Sequence, residues 1–262
     1  MRRATVQNRQ MTLTVGSLFS GIGGLDLGLE RAGLKVIWQS EIDPYCNKVL
    51  KKHWPEVPNY GDIKHIDWRT IERPNVICGG YPCQPFSVAG NRRGTDDPRH
   101  LWPWVRTAIS ELRPDYAILE NVRGHVTLGG TTVIGDLTNI GYDAEWSVVS
   151  ANGLGAPHRR ERLIIVAYPN DTRGRTPEFN IDGNGPTQIT KRKNLMEFGV
   201  SRRGTNTTAT ELKRYSDWWE TEPNVDRVAN GVPFRLDRLR GLGNAVVPQV
   251  AEYVGRLIIN AQ

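Results

Sequence analysis

Residues 79–90 read GGYPCQPFSVAG, and Cys83 is the residue there whose chemistry stands out. An apolar run, Val76-Ile77-Cys78, leads into two glycines, and Pro82 and Pro85 then flank the thiol. This is the pattern of a strand that ends in a stiffened turn and presents a sulfur. Most free cysteines are core residues, and Cys78, inside the apolar run, fits that description. Cys83 lies past the strand, so local chemistry leaves a nucleophile and a buried thiol both open. Two carboxylates sit at comparable places. Glu41 follows the run KVIWQS, and Glu120 follows YAIL. A third, Asp62, stands in the turn Gly61-Asp62-Ile63, where a cap or turn former is the plain alternative.

These side chains need elements to position them. Residues 13–19 form a strand-length apolar run that breaks into Ser20-Gly21-Ile22-Gly23-Gly24. Leu25, Leu29 and Ala32 then recur at helical spacing, and Gly33 suits a C-terminal cap. Strand, glycine turn, helix opens a Rossmann-like unit. Glu41, at the end of a second strand over 35–41, stands where a ribose hydroxyl pair is gripped. Asp26 occupies the place where a GxGxxG dinucleotide loop needs glycine, so a nucleoside cofactor without a pyrophosphate fits better.

A helix is expected from Pro44 to about Trp54, and residues 75–80 are read as the fourth strand. Residues 90–100 lack apolar periodicity and form a polar loop suited to a lid. Helices are expected over 101–112 and 131–140, and strands over 116–119, 143–150 and 163–168. The last two are joined closely enough to pair antiparallel. A C-terminal helix carries Val247, Val250, Val254, Leu257 and Ile258 on one face and is expected to pack on the sheet. In a parallel sheet, Glu41, Cys83 and Glu120 all fall on the carboxyl-end rim, where such folds bind ligands.

Composition narrows the classes. The chain has 262 residues, a net charge of +6 and a pI near 9.3. Its three cysteines and five histidines show no disulfide framework and no metal-ligand spacing. A reducing, cytoplasmic setting and no metal are expected. No apolar run reaches the ~20 residues of a membrane span. Residues 1–11 read as a disordered basic tail, with Met11 an alternative start. Basic residues cluster at Arg92, Arg93 and Arg99; at Arg159, Arg160 and Arg162; and at Lys191, Arg192, Lys193, Arg202 and Arg203. A solvated face explains any one cluster; together they suit an anionic partner. Residues 170–216 are poor in aliphatics and hold nine Lys and Arg against five Asp and Glu. A flexible linker is the plain alternative there.

Taken together, FSGIGG from Phe19, PCQPFS from Pro82, ENV from Glu120, RRERL from Arg159 and GNAVVP from Gly243 resemble the DNA cytosine-5 methyltransferase family, bacterial or phage type, in the family's own order. The resemblance implies an α/β, Rossmann-like S-adenosylmethionine-dependent methyltransferase fold. The sheet would be mostly parallel with an antiparallel strand, and a small target-recognition domain would be added. It divides the chain into the tail (1–11), a catalytic and cofactor-binding domain (12–168), a target-recognition domain (169–231), and a segment returning to the catalytic domain (232–262).

Residue by residue, the resemblance implies that Cys83 is a thiolate that adds to cytosine carbon 6. Glu120 holds ring nitrogen 3, and Arg160 and Arg162 assist, Arg162 at the base oxygen. The plain alternative for Arg160, Glu161 and Arg162 is a surface ion-pair set. S-adenosylmethionine, leaving as S-adenosylhomocysteine, would meet Phe19, Gly21, Gly23, Gly24, Glu41, Ile42, Asp62, Ile63, Pro82, Asn244 and Val246. Gln84, Ser87, Arg92, Arg93 and Arg99 would meet DNA. Ile42 replaces an aromatic of some members, and His158 replaces a common glutamine. The recognition region, some 60 residues, is short for the family. The implied partners are double-stranded DNA and a cognate restriction endonuclease, with the protein a monomer in the cytoplasm of a bacterium or phage-infected cell. Two alternatives keep the fold: a catalytically silent DNA-binding protein, and a transfer-RNA cytosine-5 methyltransferase.

Overall fold

The computed structural model describes residues 12–82, 101–127, 129–170 and 235–261. The tail, Cys83, the polar loop with Gln84, Ser87, Arg92, Arg93 and Arg99, and residues 171–231 of the expected recognition domain lie outside the described residues.

Six strands form one sheet in the order β2-β1-β3-β4-β6-β5. They are β1 (Thr14–Leu18), β2 (Lys35–Ser40), β3 (Val76–Gly80), β4 (Tyr116–Val122), β5 (Tyr142–Ser150) and β6 (Glu161–Pro169). The first four pair in parallel. β6 runs antiparallel to both β4 and β5, which makes it the antiparallel strand expected from the sequence. The chain leaves β1 toward β2 on one side and returns to β3 on the other. Such a reversal opens a crevice at the carboxyl ends of the strands.

The central strands are largely apolar because both faces are covered. Along β3, Ile77 enters one core while Val76 and Cys78 enter the other. Along β6, Leu163, Ile165 and Ala167 alternate in the same way with Ile164 and Val166. On one face lie α3 (Trp102–Leu112) and α4 (Gly130–Asn139). The other carries α1 (Gly24–Arg31) and α6 (Pro248–Asn260). Two further helices, α2 (Pro44–His53) and α5 (Arg235–Asn244), flank the crevice.

Several expectations are corrected. The strand at 76–80 is third in the chain, not fourth, because the residues after α2 form only two single 3-10 turns, Ile63–His65 and Trp68–Thr70. Glu120 lies inside β4, which continues through Asn121 and Val122. The C-terminal helix packs on the sheet as expected, and on α1 as well. A Cβ at Gly28 would come within 2.1 Å of the Pro248 carbonyl oxygen and 2.5 Å of Ala251 Cβ, so the two helices touch backbone to backbone there. α5 was not foreseen.

Candidate active site

A cleft of about 700 Å³ opens at the carboxyl ends of β1 to β4 and is closed on one side by α5 and residues 241–246. In its first half, Phe19 leaves β1 with φ +52, a conformation that is costly for a residue with a side chain. The strain turns the chain sharply into Ser20 and Gly21 at the cleft wall. Gly21 N–H donates to Glu41 Oε2 at 2.8 Å. Glu41 Oε1 accepts from the Ile42 and Asp43 N–H groups at 2.8 and 2.7 Å. Glu41 therefore laces the glycine turn to the end of β2, and Oε2, with a single N–H partner, keeps acceptor capacity for a hydroxyl.

Asp43 caps α2 through the Tyr45 and Cys46 N–H groups, and these bonds hold its carboxyl below the usual range. Asp62 is a cap as well, accepting from Lys64 N–H at 3.0 Å, so the turn-forming alternative is realised at a residue that also lines the cleft. Ile63 is buried beside it, and Ile42 is 66% exposed at the mouth. Gly24 lies against the returning chain, where a Cβ would sit 2.4 Å from the Val246 carbonyl oxygen. Asn244 and Val246 complete that wall.

The second half is built from Gly80, Tyr81, Pro82, Glu120, Asn121, Val122 and Arg162. Gly80 and Glu120 are register partners in adjacent strands. A Cβ at Gly80 would stand 2.8 Å from Glu120 Oε2, so any side chain there would make the acid shift. Glu120 is 8% exposed, and Arg162 Nε lies 2.7 Å from its Oε1. Burial pushes the Glu120 carboxyl up, with the Arg162 and Arg160 charges pulling the other way. Burial is the larger effect, so the acid holds its proton to higher pH than a free glutamate.

Not every expected residue reaches the wall. Gly23 faces the Trp54 ring, 2.4 Å from where a Cβ would be, and caps α1 instead. Arg160, at φ +26, sends Nη2 to the Gly243 and Ala245 carbonyl oxygens at 2.8 and 2.5 Å. In this arrangement Arg160 straps the returning chain to β6, while Arg162 meets the acid. Other wall residues escaped the sequence reading: Asp43, Leu101, Asp237 and Arg240. Arg240 Nη1 lies 3.6 Å from Asp43 Oδ2, joining α5 to α2 across the rim. Leucines at 236, 239 and 242 carry a weak helical period that would have suggested α5.

Among the described residues, no cluster of His, Cys, Asp or Glu is arranged to hold a metal. No described helix is long and apolar enough to cross a membrane.

Comparison with known proteins agrees with this geometry. Residues 13–231 match the C-5 cytosine-specific DNA methylase family. The type II methyltransferase M.BsuFI of Bacillus subtilis is 34% identical over 205 residues, covering 75% of this chain and 50% of the relative. M.Eco47II of Escherichia coli is 41% identical over 166 residues, covering 60% and 40%. The chain thus spans half or less of the length of these two relatives. Among solved structures, the S. pombe Dnmt2 methyltransferase superposes with a TM-score of 0.52 at 25% identity, over 60% of this chain and 51% of that one. With residues 13–231, most of its length, matching this family, the chain belongs to the C-5 cytosine-specific DNA methylase family.

Proposed function

We propose that this protein methylates carbon 5 of cytosine in double-stranded DNA, using S-adenosylmethionine. The observation that carries the reading is the buried Glu120–Arg162 pair beside Gly80, three residues before Cys83 and in the same cleft as the glycine turn.

The residues present suit S-adenosylmethionine. Gly24 and Val246 close one wall of the cleft, and Glu41 Oε2 offers an acceptor to a ribose hydroxyl. Phe19, Gly21, Ile42, Asp62, Ile63, Pro82 and Asn244 complete the enclosure. Gly23 supports the turn from behind. When bound there, the sulfonium supplies an electrophilic methyl group.

The protein's task is to make cytosine carbon 5 nucleophilic. The Cys83 thiolate adds to carbon 6, and Glu120, holding a proton, meets ring nitrogen 3 as electron density builds there. Arg162 orients Glu120 and lies at the base oxygen. Arg160 keeps the cofactor wall in register with that pair. After transfer, loss of the carbon 5 proton expels the thiolate and restores the ring. The target base must leave the helix, at a cost of roughly a few kcal/mol. Arg92, Arg93 and Arg99, with Gln84 and Ser87, meet the opened duplex and its phosphates. Residues 169–231 read the flanking bases, and residues 232–262 close the cofactor side. A companion restriction endonuclease and a monomeric cytoplasmic enzyme fit this role.

The test combines tritiated S-adenosylmethionine with mixed-sequence duplex DNA and with a 5-fluorocytosine duplex. Label in 5-methylcytosine is expected, together with a covalent adduct on the fluorinated DNA. The Cys83→Ser variant should lose both and keep cofactor binding. Turnover retained in that variant would overturn the nucleophile assignment. Tight binding of duplex without label or adduct would indicate a silent DNA binder, and label confined to RNA would overturn the substrate.

A further inference from the structure

Tyr81 lies between the end of β3 and Pro82-Cys83, and it is 4% exposed. Its backbone carbonyl accepts from Asn121 Nδ2 at 3.2 Å, and its hydroxyl is 2.8 Å from His125 Nε2. The His125 ring meets the Tyr81 ring edge-on, with centroids 5.4 Å apart. On the other side, the Trp102 ring stands 5.4 Å away, and its indole N–H is anchored on Asp136 at 2.7 Å. Tyr81 and Trp102 bracket, in sequence, the segment that carries Cys83. Asn121 and His125 follow Glu120 in the chain. One buried cluster therefore ties both ends of the nucleophile's segment to the strand that supplies the acid.

The geometry points to Tyr81 and His125 as a positioning pair that sets where Cys83 stands relative to Glu120. The inference rests on the reading of Cys83 as the nucleophile.

A hydrogen bond between two buried side chains is the means. His125 is 3% exposed, and burial lowers its imidazole to about 4, so it stays neutral at working pH and shares one hydrogen bond with the phenol, its direction set by the imidazole tautomer. Tyr81 cannot tilt without breaking that bond or the Asn121 bond to its own carbonyl. Displacement of Pro82 by a fraction of an ångström would be carried to the thiol, and misplaced reacting groups lose rate steeply.

Tyr81→Phe keeps the ring stack and removes only the hydroxyl. Relative to the unaltered enzyme, kcat for methyl transfer and the rate of adduct formation on 5-fluorocytosine DNA should both fall about tenfold, with the dissociation constant for S-adenosylhomocysteine within about twofold. His125→Leu should fall similarly. The double variant, with both buried polar partners replaced by apolar groups, should recover part of the loss, because a buried group stripped of its partner costs more than an apolar pair. Unchanged adduct kinetics in Tyr81→Phe would overturn the proposal. So would cofactor affinity lost in parallel with rate, or strictly additive losses in the double variant. If the unaltered enzyme forms neither adduct nor methylcytosine, the reading of Cys83 itself fails, and that outcome is distinct from either.

Discussion

Glu120 shows how one environment sets the chemistry of a single side chain. Its carboxyl is buried, with Gly80 leaving room for it and Arg162 beside it. Desolvation penalises the charged form and Arg162 favours it. A group that acts with its proton on loses activity as pH rises through its pKa. Glu120→Gln is therefore expected to lower kcat by at least about 10²-fold with cofactor affinity unchanged. Arg162→Met removes a charge that lowers the Glu120 pKa, so the alkaline limb of the kcat profile should move to higher pH while the maximum falls. A limb that stays in place or moves down would show that Glu120 does not set it. Glu41 illustrates a different lesson. Its oxygens already hold three backbone N–H groups, so its place in the cleft is secured before any ligand arrives.

At the scale of elements, the cleft depends on how closely the returning C-terminal chain can approach the glycine turn. Arg160 straps that chain by two carbonyls, Arg240 reaches Asp43, and Gly24 lets the Val246 carbonyl settle against α1. Gly24→Ala would place a methyl group 2.4 Å from backbone rather than from a yielding side chain. Overpacking of this kind costs about 1–3 kcal/mol. The strain is expected to displace residues 243–247 and weaken S-adenosylhomocysteine binding about tenfold or more by calorimetry, while affinity for duplex DNA is kept. Equal loss of both affinities would mean that the change spreads beyond the cofactor wall.

For the molecule as a whole, one buried acid links stability to pH. Asp26 is fully buried, accepts a hydrogen bond from Gln39 Nε2 at 2.7 Å, and is pushed by burial up to about 6. Between about pH 4 and 6 the folded protein keeps a proton that the unfolded chain has released, so this group's contribution falls as pH rises through that window. Above it the cost is constant, about 3 kcal/mol. Asp26→Asn should therefore melt at a higher temperature than the unaltered protein at about pH 7.5, and the gap should close toward pH 4. A gap that does not change with pH would remove Asp26 as its source.

The sequence by itself determined most of the strand and helix order, β3's place in the count and α5 apart, because runs such as LIIVAY and the period of Trp102, Val105, Ile109 and Leu112 admit few arrangements. It also pointed to Glu41 and Glu120, since each follows an apolar run at the rim. The strap role of Arg160, the backing role of Gly23 and the Tyr81–His125 bond were decided only by tertiary structure. Each depends on which distant backbone or side chain comes within a few ångströms, and one-dimensional spacing does not encode that distance.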